Sequence, residues 1–200
     1  MSNDVVRSHY GLGARSLHWL TVLLVVVAWT MGRFGEELFD EAIDALHKAT
    51  ATGFSIHLWA GLAVLAVAML RFPWRIANPA PPPEVNELNR WLISWTDPTA
   101  RFTHYALYIL LFLVPITGIL LQFFEGHTLS LFGLAEIAPS VRATSRLSHI
   151  VRGSHELLAY LLVVVSIFHA TAAVLHHVVF RDKTLVRMML WLRSGDPKTH

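Results

Sequence analysis

The sequence predicts an all-α membrane protein, an up-and-down bundle of four transmembrane helices. Two observations lead to this fold class. The chain of 200 residues is 54% hydrophobic and only 15% charged, with a mean hydropathy of +0.48, whereas roughly a quarter of a typical soluble domain is charged. The charged residues are also clustered, and the gaps between clusters have the ~17–25 residues that a helix needs to cross a membrane. The length fits a single domain covering residues 1–200.

Four charge-free gaps mark the spans. The gaps of 17, 22, 23 and 24 residues lie between Arg15 and Arg33, Lys48 and Arg71, Arg101 and Glu125, and Glu156 and Arg181. We place the spans at about 14–33, 54–73, 103–124 and 153–180. The second span is expected to end at the FPWR segment, because proline disfavours continuation of a helix.

The basic residues predict the orientation of the bundle. With the N-terminus in the cytoplasm, eleven Lys and Arg residues flank the spans on the inner side and five on the outer side, as the positive-inside rule requires. Both termini are therefore predicted to be cytoplasmic. The basic residues flank apolar spans and form no continuous stripe, so the net charge of +2 does not indicate nucleic-acid binding.

The chain contains no cysteine. This excludes disulfides, thiolate metal sites and cysteine-bound iron–sulfur clusters. Redox or metal chemistry in this protein must therefore use other ligands.

Histidine supplies such ligands. The chain has twelve histidines, and seven of them lie in or at the ends of the spans: His18, His57, His104, His155, His169, His176 and His177. A polar side chain in hydrocarbon costs free energy, so each needs a function or a partner. At 100° per residue, His155, His169 and His176 share one face of the fourth helix, where His155 and His169 are about 21 Å apart along the axis. They predict two separate sites, one near each membrane surface.

The positions of these histidines favour haem. A low-spin haem with two histidine ligands takes one imidazole from each side of its plane, normally from different helices. His57 and His155 both begin spans at the outer side, so we expect them to share an outer haem. Arg71 lies 14 residues after His57, on the same helix face at the inner end, where its guanidinium is predicted to pair with a haem propionate.

Depth alone leaves the inner partner of His18 open. His18 is three residues from Arg15, while His176 is five and His169 twelve residues from Arg181. Equal depth slightly favours His176, whereas helix tilt or extension favours His169. If His169 is the ligand, His176 lies about two turns deeper, where it can touch a propionate or a quinone.

Three other residues of the spans have open roles. Trp19 can line a quinone pocket beside His18 or belong to the aromatic belt at the membrane interface. His104 lies near an interface and is predicted to snorkel, to pack beside a ligand or to be a ligand itself. His177 points about 100° away from His176 and is expected among the headgroups.

From about Tyr10 to Met189 the chain resembles the bacterial cytochrome b561 family. The resemblance rests on SLHWL, IHLWAGL, HYALYILLFLVPITG and, most specifically, SHELLAYLLVVVSIFHATAAVLHHVVFRDKTLVRMM. It implies a cytochrome of the bacterial inner membrane with two haems b. By position, it implies His18 and His169 as ligands of the inner haem and His57 and His155 as ligands of the outer haem.

The resemblance also implies an activity. One member of the family is known as a superoxide oxidase, which passes electrons from superoxide through both haems to ubiquinone, and other members are described as electron carriers. Arg142, Arg146 and Arg152 are compatible with this activity, because a cationic rim above the outer haem would steer a small anion. A solvated or headgroup-binding loop is the alternative interpretation of these arginines.

Three functions therefore compete. The first is electron transfer from an outer donor, such as superoxide, to membrane ubiquinone. The second is an electron-carrier subunit of a partner dehydrogenase or hydrogenase, although the sequence identifies no protein partner. The third is a haem-free transporter lined by histidines. The spans contain no catalytic triad or paired carboxylates, and electron transfer through haem needs neither.

Overall fold

Four long helices dominate the structure, a computed structural model that describes residues 10–40, 49–79, 81–82, 93–139 and 144–189. They are α1 (Leu12–Asp40), α2 (Ala49–Ala77), α3 (Ile93–Phe124) and α4 (Ser145–Val178). We call the end of the bundle where α1 and α3 begin the proximal end, and the opposite end the distal end.

The four predicted spans are confirmed. The segments long and apolar enough to cross a membrane are Leu12–Gly35, Gly53–Ala77, Asp97–Phe124 and Ser145–Val178. The helices are longer than the charge-free gaps, because a helix can continue into the headgroup region, where charged side chains are solvated. The expected end of the second span at FPWR is wrong by about one turn, since Pro73 lies inside α2 and the helix continues to Ala77.

The bundle has a small core and an apolar exterior. Val64, Ala68, Leu110, Leu111 and Leu162 form a buried cluster between α2, α3 and α4. Large apolar side chains elsewhere on the helices are exposed, including those of Leu23, Ile109 and Phe168. In a soluble protein such an exterior would aggregate, whereas in a membrane it faces the lipid chains.

Successive helices pack side by side in chain order, α1 on α2, α2 on α3 and α3 on α4. Gly35 and Gly53 allow a close approach of α1 and α2, because a Cβ atom at Gly53 would lie 3.0 Å from the Gly35 carbonyl oxygen. The backbones of α1 and α4 approach each other much less. Aromatic and imidazole side chains make the contacts between α1 and α4, among them Trp29 and Tyr160, whose ring centroids are 5.0 Å apart.

Two short elements complete the described chain. After α3, strands β1 (Leu129–Leu131) and β2 (Ala135–Ile137) form an antiparallel hairpin. Its turn contains Gly133 with a φ of 74°, a conformation that glycine adopts without strain. After α4, the chain folds back to a 3₁₀ turn at Val186–Met188.

Candidate functional site

His57 and His155 face each other near the distal end. Their ring centroids are 6.1 Å apart, with the planes at 88°. His57 lies on α2 and His155 on α4, so the two rings approach from different helices, as the sequence predicted.

Hydrogen bonds fix the orientation of both rings. His57 Nδ1 is 2.8 Å from the carbonyl oxygen of Ala28. His155 Nδ1 is 3.0 Å from the carbonyl oxygen of Val114 and 3.2 Å from the Thr117 hydroxyl. A carbonyl oxygen only accepts, so each Nδ1 carries the proton and donates it, and each Nε2 keeps a free lone pair. This arrangement is typical of histidines that ligate a metal through Nε2.

Two glycines make room for these rings. A Cβ atom at Gly32 would lie 2.6 Å from His57 Nδ1, and one at Gly118 would lie 3.1 Å from His155 Cε1. A Cβ atom at Gly32 would require the His57 ring to shift, and one at Gly118 would be in tight contact with the His155 ring. The sequence pattern alone does not single out Gly32, because its role depends on contact with a neighbouring helix.

A cavity of about 610 Å³ surrounds the distal pair, lined mainly by apolar side chains of all four helices. Binding sites for small molecules and cofactors usually have ~300–1,000 Å³. The distal pair thus lies in a space of the size that a flat macrocycle occupies.

Charged residues surround the mouth of this cavity. Arg33, Glu125, Arg152 and Glu156 line it, and Arg152 forms a hydrogen-bonded ion pair with Glu125. Among the side chains that the structure describes, no carboxylate lies within ion-pair distance of Arg33. The sequence did not single out Arg33, because a single arginine is common near the end of a membrane-spanning helix.

The three arginines predicted as a cationic rim have different positions. Arg152 lines the cavity mouth, where Glu125 neutralises much of its charge. Arg146 is exposed in the first turn of α4. Arg142 lies outside the described residues.

A second histidine cluster lies at the proximal end. The ring centroids of His18 on α1 and His169 on α4 are 6.3 Å apart, with the planes at 69°. The structure thus pairs His18 with His169, the partner that equal depth slightly disfavoured. His104 on α3 joins the cluster, with its ring centroid 5.1 Å from that of His169.

Arg71 extends into the proximal cluster from α2. Its Nη2 is 3.0 Å from His18 Nδ1, and its Nη1 donates to the Thr21 hydroxyl at 3.5 Å. The guanidinium carbon lies 5.7 Å from the centre of the Tyr108 ring. Helical periodicity predicted that Arg71 would lie on the histidine side of α2 at this end, and the structure places it there.

His176 lies beyond this cluster and has a different partner. Its Nδ1 is 2.6 Å from Asp182 Oδ2, and Asp182 is 3% exposed. Burial raises the pKa of Asp182, but hydrogen bonds from the His176 side chain and from Thr184 lower it more, so the pKa is below its usual range. Nothing in the sequence pattern distinguishes Asp182 from other charged residues that follow a span. His177, the next residue, is exposed.

Trp19 and Arg15 hold the segment after α4 against α1. Trp19 Nε1 donates to the Met188 carbonyl at 2.8 Å, and Arg15 Nη1 donates to the Met189 carbonyl at 3.0 Å. The Trp19 ring also meets the His18 ring edge-on, with centroids 5.7 Å apart. Trp19 therefore links the proximal histidines to the segment that contains Asp182.

The spacing of both histidine pairs fits a metal between the rings. Two metal–nitrogen bonds of about 2 Å each, together with the half-widths of two imidazoles, span roughly 6 Å. The distal pair also fits by its hydrogen bonds and its cavity. At the proximal pair, Arg71 can only donate, so His18 Nδ1 accepts and the proton of the neutral ring is on Nε2. The proximal pair therefore fits by distance, while ligation through Nε2 requires Arg71 to leave His18.

Comparison with known proteins identifies the family. Residues 9–191 match the family model described as prokaryotic cytochrome b561. The chain is 29% identical to "Cytochrome b561 homolog 2" of Escherichia coli over 94% of its own length and 95% of that protein. It is 32% identical to "Probable superoxide oxidase CybB" of Yersinia pestis over 86% of its length and 91% of that protein. It is also 25% identical to "Cytochrome b562" of Cereibacter sphaeroides, over 87% and 90% of the two chains.

These matches agree with the helices and the histidine clusters. The family implies haem b, and the four spans place the chain in a membrane as a multi-pass protein. The chain belongs to the prokaryotic cytochrome b561 family, whose members are cytochromes b that transfer electrons in bacterial membranes.

Proposed function

We propose that this chain binds two haems b and passes electrons from a small anionic donor at its distal end to ubiquinone near its proximal end. The observation that supports this most strongly is the presence of two facing histidine pairs, at 6.1 and 6.3 Å, at opposite ends of one bundle. Each haem would supply a one-electron couple of its iron. His57 and His155 would hold the distal haem, and His18 and His169 the proximal one.

The protein would set the properties of the haems through their surroundings. The carbonyl oxygens of Ala28 and Val114 keep the distal imidazoles in the tautomer that ligates through Nε2. Arg71 is proposed to turn from His18 to a propionate of the proximal haem, since a guanidinium matches a carboxylate with two parallel hydrogen bonds.

Superoxide is the proposed donor. A relative that is 32% identical carries the name of a probable superoxide oxidase, and Arg33 and Arg152 line the mouth of the distal cavity. Two superoxide anions would each give up one electron and leave as dioxygen. No proton is transferred on this side, so the distal site would need no general acid or base.

Ubiquinone is the proposed acceptor. Its reduction to the quinol takes the two electrons together with two protons. His176 lies about two turns beyond His169, and Asp182 orients its ring so that Nε2 faces away from the carboxylate. This pair would transfer protons from the cytoplasm to the quinone, and Trp19 would lie at the wall of the quinone site.

The proposed orientation puts the proximal end in the cytoplasm of the bacterial inner membrane. It follows from the excess of basic residues on the segments at that end. Quinone would then be reduced on the cytoplasmic side and the anionic donor oxidised on the outer side.

A reduced-minus-oxidised absorption spectrum, followed by an anaerobic assay, tests this function. Dithionite should produce the bands of a low-spin cytochrome b. With a short-chain ubiquinone as acceptor, two superoxide anions should be consumed for each quinol formed. A protein without such bands would favour the haem-free transporter. A protein with these bands that superoxide does not reduce would favour the second candidate, an electron-carrier subunit, which the plain cytochrome names of the other relatives also suit.

A further inference from the structure

A small cavity at the proximal end is lined by two arginines. It lies beside the last turns of α2 and has a volume of about 50 Å³. A cavity that holds one water needs about 10–15 Å³ by this kind of measure, so there is room for a group of several heavy atoms. Its polar and aromatic lining includes Tyr10, Arg71, Trp74, Arg75, Asn78 and Tyr108.

Positive charge dominates this cavity. None of its lining residues is acidic, and no carboxylate among the side chains that the structure describes forms an ion pair with Arg71 or Arg75. Each guanidinium instead lies near an aromatic face, Arg71 at 5.7 Å from Tyr108 and Arg75 at 5.9 Å from Tyr10. Cation–π contacts stabilise a cation without neutralising it, so two partly buried positive charges remain for an anion.

The available hydrogen-bond donors suit oxygen atoms. A guanidinium presents a planar fork of donors that matches the oxygens of a phosphate or a carboxylate. Asn78 Nδ2 donates to the Trp74 carbonyl at 3.1 Å, and its amide has a second hydrogen to give. Arg71 is already engaged with His18 and Thr21, which leaves Arg75 as the more available charge.

We propose that this cavity is an oxyanion site in which Arg75 provides the principal charge and Arg71 the second. Two groups share the required chemistry. One is the headgroup phosphate of an anionic phospholipid, since basic pockets between helices on the cytoplasmic side bind such headgroups. The other is a propionate carboxylate of the proximal haem, a source that rests on the proposed function.

The test compares Arg75→Gln with wild type in two measurements on the haem-loaded protein in detergent. Native mass spectrometry gives the affinity for added phosphatidylglycerol, with phosphatidylcholine as the zwitterionic reference. Absorption and electron paramagnetic resonance spectra report on the proximal haem. They are recorded on proteins that also carry His155→Ala, because this substitution should remove the distal haem. Arg101→Gln is the matched control, because Arg101 is an exposed arginine at the same end that pairs with Asp97.

If the phosphate of a lipid is bound, Arg75→Gln weakens phosphatidylglycerol binding roughly fivefold, while Arg101→Gln does not. If the haem carboxylate is bound, lipid affinity is unchanged and the spectrum of the proximal haem shifts. Arg75→Lys keeps the charge without the fork and should recover part of either effect. The site is disproved if Arg75→Gln matches wild type in both measurements, or if Arg101→Gln weakens lipid binding equally. A chain without haem would refute the proposed function, and the lipid measurement would still decide this site.

Discussion

The nitrogens of the distal histidines show how single residues determine the chemistry. The backbone carbonyls of Ala28 and Val114 accept from the Nδ1 atoms of His57 and His155. This leaves both Nε2 atoms directed away from the helix backbone and free to bind iron. A hydrogen-bonded imidazole is also a more basic ligand, so these two carbonyls would favour the oxidised state of a haem held as proposed.

Gly32 should be required for the distal haem. The Cβ of a Gly32→Ala variant would lie 2.6 Å from His57 Nδ1, so the ring must move and lose its bond to Ala28. We expect this variant to lose about one of two haems per chain, measured by the pyridine haemochrome assay. Gly153→Ala is the control, because a Cβ there meets nothing within 4 Å and alanine in a helix stabilises by about 0.5–1 kcal/mol. Full haem content in Gly32→Ala would contradict this role.

The Asp182 carboxylate should hold the segment after α4 in a pH-dependent way. Its pKa is lowered because hydrogen bonds from His176 and Thr184 outweigh the effect of burial. A lowered carboxyl pKa stabilises the folded segment above the usual carboxyl pKa of about 3.9, and this contribution is lost as the pH falls through the lower folded value.

Hydrogen exchange of residues 181–189 measures this effect. Protection of the Thr184 amide, which donates to Asp182 Oδ1, should be constant near neutral pH and fall below about pH 4. Asp182→Asn should reduce protection at neutral pH. Equal protection in both proteins would show that Asp182 does not hold this segment.

At the residue scale, the sequence predicted which histidines would face each other but not most of the residues around them. Helical periodicity placed His155 and His169 on one face, and depth paired His57 with His155. Depth could not decide whether His169 or His176 faces His18, because the depth of a residue depends on the tilt of its helix. His104 and Gly32 contribute through contacts between helices, and a helical period contains no information about how a neighbouring helix is rotated. Asp182 contributes because the chain after α4 folds back onto His176, which a helical period does not describe either.

At the scale of elements, the charge-free gaps predicted the number and order of the spans, but the spans predicted from them are shorter than the helices of the structure. α4 begins at Ser145, before Arg146 and Arg152. Thr144 caps it by accepting from the Leu147 amide at 3.4 Å, and such a cap stabilises a helix start whether or not charged residues follow. The helix therefore extends beyond the hydrocarbon, which brings Arg152 to the cavity mouth.

Arg33 near the end of α1 and Arg152 near the start of α4 should both contribute to anion steering. Arg152 is paired with Glu125, whereas Arg33 on α1 has no such partner among the described side chains. We expect Arg33→Gln to slow haem reduction by superoxide several-fold at low ionic strength and to weaken its dependence on salt. Arg152→Gln should slow the reaction at least as much, because it removes a positive charge and also leaves the Glu125 carboxylate unpaired at the mouth, where it repels the anion. Stopped-flow rates across a salt series measure both.

Glu125→Gln is the complementary variant for this comparison. It removes the negative charge beside Arg152, so it should raise the rate at low salt. If Arg33→Gln and wild type show the same salt dependence, Arg33 does not guide the donor.

For the whole molecule, the arrangement of the helices explains why two sites form. Neighbouring helices pack closely from α1 to α4, but the backbones of α1 and α4 remain apart. Both histidine pairs include a residue of α4, and the partners come from α1 at the proximal end and α2 at the distal end. The apolar exterior of the bundle faces the lipid chains. The composition predicted this apolar exterior. The gap between α1 and α4 depends on helix packing, which composition does not describe.

Haem content of single-histidine variants tests the central claim of two bis-histidine haems most directly. We predict two haems per chain in wild type and about one in both His155→Ala and His169→Ala, with His177→Ala, an exposed neighbour on α4, retaining two. Retention of both haems in either of the first two variants, or loss of a haem in His177→Ala, would contradict the assignment of the two pairs.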